Sequence, residues 1–269
     1  MTTTPIANRR AVVALTLAVA AVVGCATADA PPPAPADVRT ALAPTGTLRI
    51  AVYPGSPTSL VRRAGTAHGL SVDLGREMAR RLGVPAGLVE FERVEQVVEA
   101  LHSGQADMTI TNATRARAAL VDFTEPLVLL ELGILVPAGS KIASIDEVDR
   151  PGVRVGVTQG SSSQATLGRT YRNATLVPAP SLLAASTMLA EGRVDAFATN
   201  KGILYQLGDG LSGARVLDGR WGTESLAIGV PQGRQIARPW LAQFVASLRD
   251  GGDVERAAER AGLRGIASR

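Results

Sequence analysis

The chain is 269 residues long, enough for one large domain or two lobes of ordinary size. Apolar residues make up 46% and aromatics only 3%, so the core is built from Val, Leu, Ile and Ala. The formal charge is +4 and falls to +2 without residues 1–24, which hold Arg9, Arg10 and no acid; that balance is no signature of nucleic-acid binding.

In chain order, Arg9 and Arg10 open a run of apolar and small residues from Ala11 to Gly24, broken only by Thr16. The run is shorter than the roughly 20 apolar residues that span a bilayer, and it fits the apolar region of a signal peptide. It ends at Val22-Val23-Gly24-Cys25, which resembles a bacterial lipobox. Residues 1–24 are therefore expected to be a lipoprotein signal peptide, with Cys25 lipidated. Cys25 is the sole cysteine, so a monomer forms no internal disulfide. From Ala26 to Thr45 the chain is rich in Ala and Pro, and residues 25–46 read as an extended tether.

Two patterns then occur twice. Leu48-Arg49-Ile50-Ala51-Val52-Tyr53-Pro54-Gly55-Ser56 aligns without gaps on Val153-Arg154-Val155-Gly156-Val157-Thr158-Gln159-Gly160-Ser161. Each is a short strand running into a Gly-Ser turn. Leu101-x-x-Gly104-x-x-Asp107-x-x-x-Thr111-Asn112 aligns on Leu189-x-x-Gly192-x-x-Asp195-x-x-x-Thr199-Asn200. Val94, Val97, Val98 and Leu101 recur at helical spacing, Gly104 ends that helix, and Asp107 to Ile110 reads as a strand. In the second copy Ser181 is the N-cap, and the strand is expected over Val194 to Ala198. A further helix is expected around Leu70, Leu74, Met78 and Leu82, ended by Gly83. Strand–helix–strand order implies parallel sheets flanked by helices.

The paired repeats predict two α/β lobes. Val128 to Val136 leaves the first and Leu226 to Val230 returns to it. The first lobe is expected over residues 47–130 plus 225–269, where the helices Trp240 to Leu248 and Val254 to Ala261 pack back, and the second over 131–224. Ligands of open α/β sheets sit beyond the carboxyl ends of strands. The segments Tyr53 to Ser56, Thr111-Asn112, Thr158 to Ser163 and Thr199-Asn200 fall at such ends.

At these residues the chain resembles family 3 of the bacterial extracellular solute-binding proteins, the periplasmic amino-acid-binding proteins of ABC importers. Further markers are Gly69-Leu70-Ser71-Val72-Asp73-Leu74 and Thr114-x-x-Arg117-x-x-x-x-Asp122-Phe123-Thr124-Glu125-Pro126. The resemblance implies a type II periplasmic-binding-protein-like fold of two lobes, each a mostly parallel sheet flanked by helices, with two hinge crossings. It implies that Arg117 clamps a carboxylate. Guanidinium suits that task because it forms two parallel hydrogen bonds and keeps its charge when desolvated. It implies help from Asn112, Thr111 and the amides at Ser161 and Ser162, at a helix N-terminus suited to anions. Tyr53 offers the one aromatic wall. The expected partners are a small carboxylate solute, an amino acid or analogue, and ABC permease subunits. The protein is expected to be an exported monomer of the periplasm or cell envelope that touches the membrane through its lipid alone.

The chain departs from the family in one charge. An acid near the end of the second lobe's strand usually takes the solute's ammonium, and here that position is Asn200. Glu131 is the substitute if it faces the cleft and a surface residue of a hinge strand if it does not. His68 and His102 are the only histidines, so neither a metal cluster nor a Ser-His-Asp arrangement is expected, and no cofactor is called for. Two other functions use the same scaffold: an enzyme such as a cyclohexadienyl dehydratase, with Arg117, Glu131 and Lys201 as its ionisable cleft residues, or a solute-sensing accessory protein.

Overall fold

A computed structural model describes residues 1–3 and 34–267. The signal-peptide assignment and Cys25 lie outside the described residues. The first element corrects an expectation. Residues 36–42, read as tether, form helix α1 (Ala36–Leu42). Val38 and Leu42, four residues apart and therefore on one helical face, are buried with Ala34 and Ala43 in the core of the first half. The Ala and Pro content hid a single apolar stripe, which is enough to seat two helical turns on an existing core.

Strand β1 (Leu48–Val52) follows, then the hairpin of β2 (Val61–Arg63) and β3 (Thr66–His68), helix α2 (Leu70–Leu82) and strand β4 (Ala86–Glu90). Helix α3 (Val94–His102), strand β5 (Thr109–Asn112), the single turn α4 (Arg115–Ala118) and strand β6 (Val121–Phe123) complete the first series. The long strand β7 (Val128–Val136) leads to a second: β8 (Arg154–Thr158), α5 (Ser162–Thr170), β9 (Thr175–Ala179), α6 (Leu182–Ala190), β10 (Ala196–Asn200), α7 (Lys201–Asp209) and β11 (Arg215–Val216). Strand β12 (Gly222–Pro231) returns, and helices α8 (Arg238–Asp250) and α9 (Asp253–Ala261) close the chain. Among the described residues no helix is long and apolar enough to cross a membrane.

The repeat is visible in the sheets. Strand β1 runs parallel to β4 and meets β5 through an Ile50–Met108 bridge; β8 runs parallel to both β9 and β10. Each parallel trio is followed by an antiparallel neighbour, β12 beside β5 and β7 beside β10. The ladder does not break between the halves. Residues 222–226 of β12 pair with 132–128 of β7, giving one path β5-β12-β7-β10-β8-β9. Two separate sheets were the simplest reading of the repeats. The crossing strands, nine and ten residues long, have length enough to pair with each other at one end and with a different half at the other.

The repeated Arg and Asp have a common use. The Asp107 carboxylate accepts from the backbone N, Nε and Nη2 of Arg49 at 3.0, 2.9 and 2.9 Å. Asp195 accepts from the same three atoms of Arg154 at 2.8, 3.0 and 2.7 Å. These forked bonds pin the entry to the third parallel strand against the first strand of each half. Strands β5 and β10 begin at Thr109 and Ala196, two residues later than the predicted strands, which start at Asp107 and Val194.

The apolar core has three parts. One gathers α1, β1, α2, α8 and α9 around Ile50, Leu74, Met78 and Phe244. Another holds Ile134, Val155, Val157 and Ala198 of the second half. The third joins Tyr53, Val94 and Val98 of the first series to Leu182, Ala185 and Ile203 of the second. The halves touch closely there: a Cβ placed on Gly55 would lie 3.1 Å from that of Leu182.

Candidate functional site

The carboxyl ends of the parallel strands converge. Tyr53 after β1, Thr111 and Asn112 at the end of β5, Thr158 at the end of β8, and Thr199 and Asn200 at the end of β10 line one cavity. The space left between them is small, about 30 Å³. Ser161, Ser162 and Ser163 border it at the start of α5, Arg117 from α4, and Glu224 and Leu226 from β12. All seven residues singled out in the sequence as solute-binding, namely Arg117, Asn112, Thr111, Tyr53, Ser161, Ser162 and Asn200, are brought together here.

Arg117 is placed by a cap. Thr114 is the N-cap of α4, and its Oγ1 accepts from the Arg117 backbone N at 3.2 Å. Its Nη1 donates to Thr111 Oγ1 at 2.7 Å and to the Asn112 carbonyl at 3.3 Å. Nε and Nη2 have no hydrogen-bond partner among the described residues. Burial lowers the guanidinium pKa and the nearby Glu224 charge opposes that shift; an arginine so held is still a cation. Arg115, two residues earlier, is exposed.

Asn112 ties three elements together. Its Nδ2 donates to Ser162 Oγ at 3.1 Å, and its Oδ1 accepts from the Ser225 backbone N at 3.2 Å. On α5 the expectation needs one change. Ser161 Oγ caps the helix by accepting from Gln164 N at 3.1 Å, and the Ser161 amide itself donates to Thr158 O at 3.1 Å. The amides that a helix start leaves open are therefore those of Ser162 and Ser163. The Tyr53 phenol donates to Ser56 Oγ at 3.4 Å, and burial raises its pKa, so it is neutral at pH 7. Thr158 Oγ1 is buried without a partner among the described residues, which is rare for a hydroxyl in a folded interior.

The sequence reading missed Glu224. Its carboxyl lies against Asn200, whose Nδ2 donates to Glu224 Oε1 at 2.8 Å. Burial pushes its pKa up to about 7, with Arg117 and the Asn200 bond pulling in the opposite direction. Arg117 and Glu224 sense each other's charge without a direct ion pair. The signal was available: Glu224 is in phase with Leu226 and Ile228 on a strand, so an acid occupies an inward position. Glu131, the substitute considered, is not among the cavity residues. Its carboxylate binds Lys201 Nζ at 2.7 Å and Arg220 Nη1 at 3.0 Å, which also takes Lys201 out of consideration.

The cavity thus presents a fixed cation, open helix-start amides, a buried carboxyl and an aliphatic wall of Val94, Ile203 and Leu226. The family described as bacterial extracellular solute-binding proteins, family 3, matches residues 48–262. The chain belongs to that family. A family 3 protein is an extracellular one, and the architecture described above is the type II periplasmic-binding-protein fold. The binding component of an ABC transporter from Wolinella succinogenes, complexed with lysine, superposes with a TM-score of 0.70 at 25% identity, over 80% of this chain and 95% of that one. The ABC transporter glutamine-binding protein GlnH of Bacillus subtilis is 25% identical over 150 residues, 54% of this chain and 55% of its own length. The virulence sensor protein BvgS of Bordetella pertussis is 30% identical over 152 residues, 56% of this chain and 12% of its own. The chain therefore matches little more than half of the curated glutamine-binding protein.

Proposed function

We propose that this chain binds an amino acid or closely related carboxylate in the cavity and, as a monomer, delivers it to ABC permease subunits. One observation carries the reading. Arg117, with two of its three guanidinium nitrogens uncommitted, borders the same cavity as the open amides of Ser162 and Ser163, an arrangement suited to a carboxylate. The lysine and glutamine binders with which it shares fold and family support the solute class. In this reading residues 47–130 plus 225–269 form one lobe, joined by α1, and residues 131–224 the other, with β7 and β12 as the hinge about which they close. Cys25 carries the lipid that holds the mature chain at the cell envelope, which the mass of the membrane-extracted protein reads out directly.

Two other readings have support. The likeness to BvgS favours a sensor that reports the solute rather than importing it. The raised carboxyl of Glu224 is the acid that a dehydratase on this scaffold needs, and it was absent from the sequence-level candidates. A thermal-shift panel of amino acids, keto acids and prephenate, with the prephenate assayed afterwards, separates solute binding from catalysis. Saturable stabilisation by one amino acid, with prephenate recovered unchanged, is the expected result. Turnover of prephenate, or stabilisation by no member of the panel, contradicts the binding reading.

A further inference from the structure

The residue at the position where this family carries its ammonium-binding acid, Asn200, has no charge to offer, and both ends of its amide are already engaged. Its Oδ1 accepts from Ile203 N at 3.0 Å as the cap of α7, and its Nδ2 donates to Glu224. Glu224 stands on β12, on the far side of β7 from Asn200, 7% exposed, on the same cavity. Its Oε1 is held by Asn200, and its Oε2 has no hydrogen-bond partner among the described residues. Glu131 is turned onto Lys201 and Arg220. A buried carboxylate without a direct ion-pair partner is costly, and a cation that completes it is correspondingly favoured.

We propose that Glu224 takes the ammonium of the solute and that Asn200 is the positioning residue that orients it. The acid has moved from the end of the second-half strand to the crossing strand β12. This rests on the amino-acid reading above. It makes the cavity complementary to a zwitterion, with Arg117 facing the carboxylate end and Glu224 the ammonium end. The charged and titratable groups facing Glu224 are Arg117 from α4 and Tyr53 after β1. Neither changes charge between pH 5 and 7. Because an ammonium pairs with the ionised carboxylate, affinity rises through that interval as Glu224 gives up its proton.

The test is calorimetry with L-glutamine and L-lysine against their desamino counterparts, glutaramate and 6-aminohexanoate, on wild type and Glu224→Gln. Wild type is expected to prefer the amino acid. Glu224→Gln is expected to lose roughly thirtyfold or more in affinity for it, with little change for the desamino compound. The pH dependence from 5 to 7 should be present in wild type and absent from the variant. Equal affinity of wild type for an amino acid and its desamino counterpart overturns the proposal without needing any variant. So does an unchanged amino-acid affinity in Glu224→Gln, and in both cases the binding function stands. Failure of wild type to bind any amino acid of the thermal-shift panel removes the amino-acid reading itself and this proposal with it.

Discussion

Asn112 and Asn200 hold the same place in the two repeats and turn opposite ends of their amides to β12. Asn112 accepts from the backbone of Ser225, and Asn200 donates to the carboxyl of Glu224. The difference follows from the partner, since a backbone N–H needs an acceptor and a carboxylate a donor. Glu224 also affects stability. Its folded pKa of about 7 lies above the ordinary value of 4.5, so the folded state keeps the proton that the unfolded state has lost. Stability from this group is full below about pH 4.5 and falls as pH rises through 7, by on the order of 3 kcal/mol. Denaturant melts of the ligand-free protein at pH 5 and 8 are expected to show that loss in wild type and a smaller one in Glu224→Gln. Parallel pH profiles would place the carboxyl in water. Arg117, Asn112 and Thr111 were legible because each falls in a motif or a repeat. Glu224 falls in neither, and the return strand was read from Leu226, two residues too late to include it.

At the scale of elements, the two halves repeat a fork of different burial. Asp107 is fully enclosed and accepts from Arg234 Nη2 at 3.1 Å as well as from Arg49, whereas the Asp195 side chain is 36% exposed. Removing one partner from a buried pair costs about 3–5 kcal/mol, and from an exposed pair about 0–1 kcal/mol. Asp107→Ala is therefore expected to destabilise the protein by several kcal/mol in urea unfolding and Asp195→Ala by much less. Equal losses would mean that the repeat alone, not burial, sets the energetics. Most elements were legible at this scale. Helix α2, the valine face of α3, the Ser181 cap of α6 and the strand β7 all follow from period and capping chemistry. Helix α1 was not, because its two core residues, Val38 and Leu42, are too few to stand out against Ala and Pro. The pairing of β7 with β12 was not either, since a sequence shows how long a strand is but not which neighbour it takes.

At the scale of the molecule, the cavity belongs to neither half alone. The Asn112–Ser162 hydrogen bond joins β5 to α5, and the turn at Gly160 packs so closely on Glu95 that a Cβ there would lie 2.6 Å from that side chain. A solute held by Arg117 on one side and by the Ser162 and Ser163 amides on the other would add to these contacts, which is how ligand and closure become coupled. The central claim is that this shared cavity clamps a carboxylate through Arg117. The most direct measurement is a calorimetric titration of wild type, Arg117→Ala and Arg115→Ala with the amino acid that most stabilises the wild-type protein. Truncating a desolvated charge pair costs roughly 2–5 kcal/mol, so Arg117→Ala is predicted to lose from about thirtyfold to several thousandfold in affinity while its melting curve stays cooperative. The exposed Arg115→Ala is predicted to stay within a few fold of wild type. Equal affinities for wild type and Arg117→Ala would contradict the account.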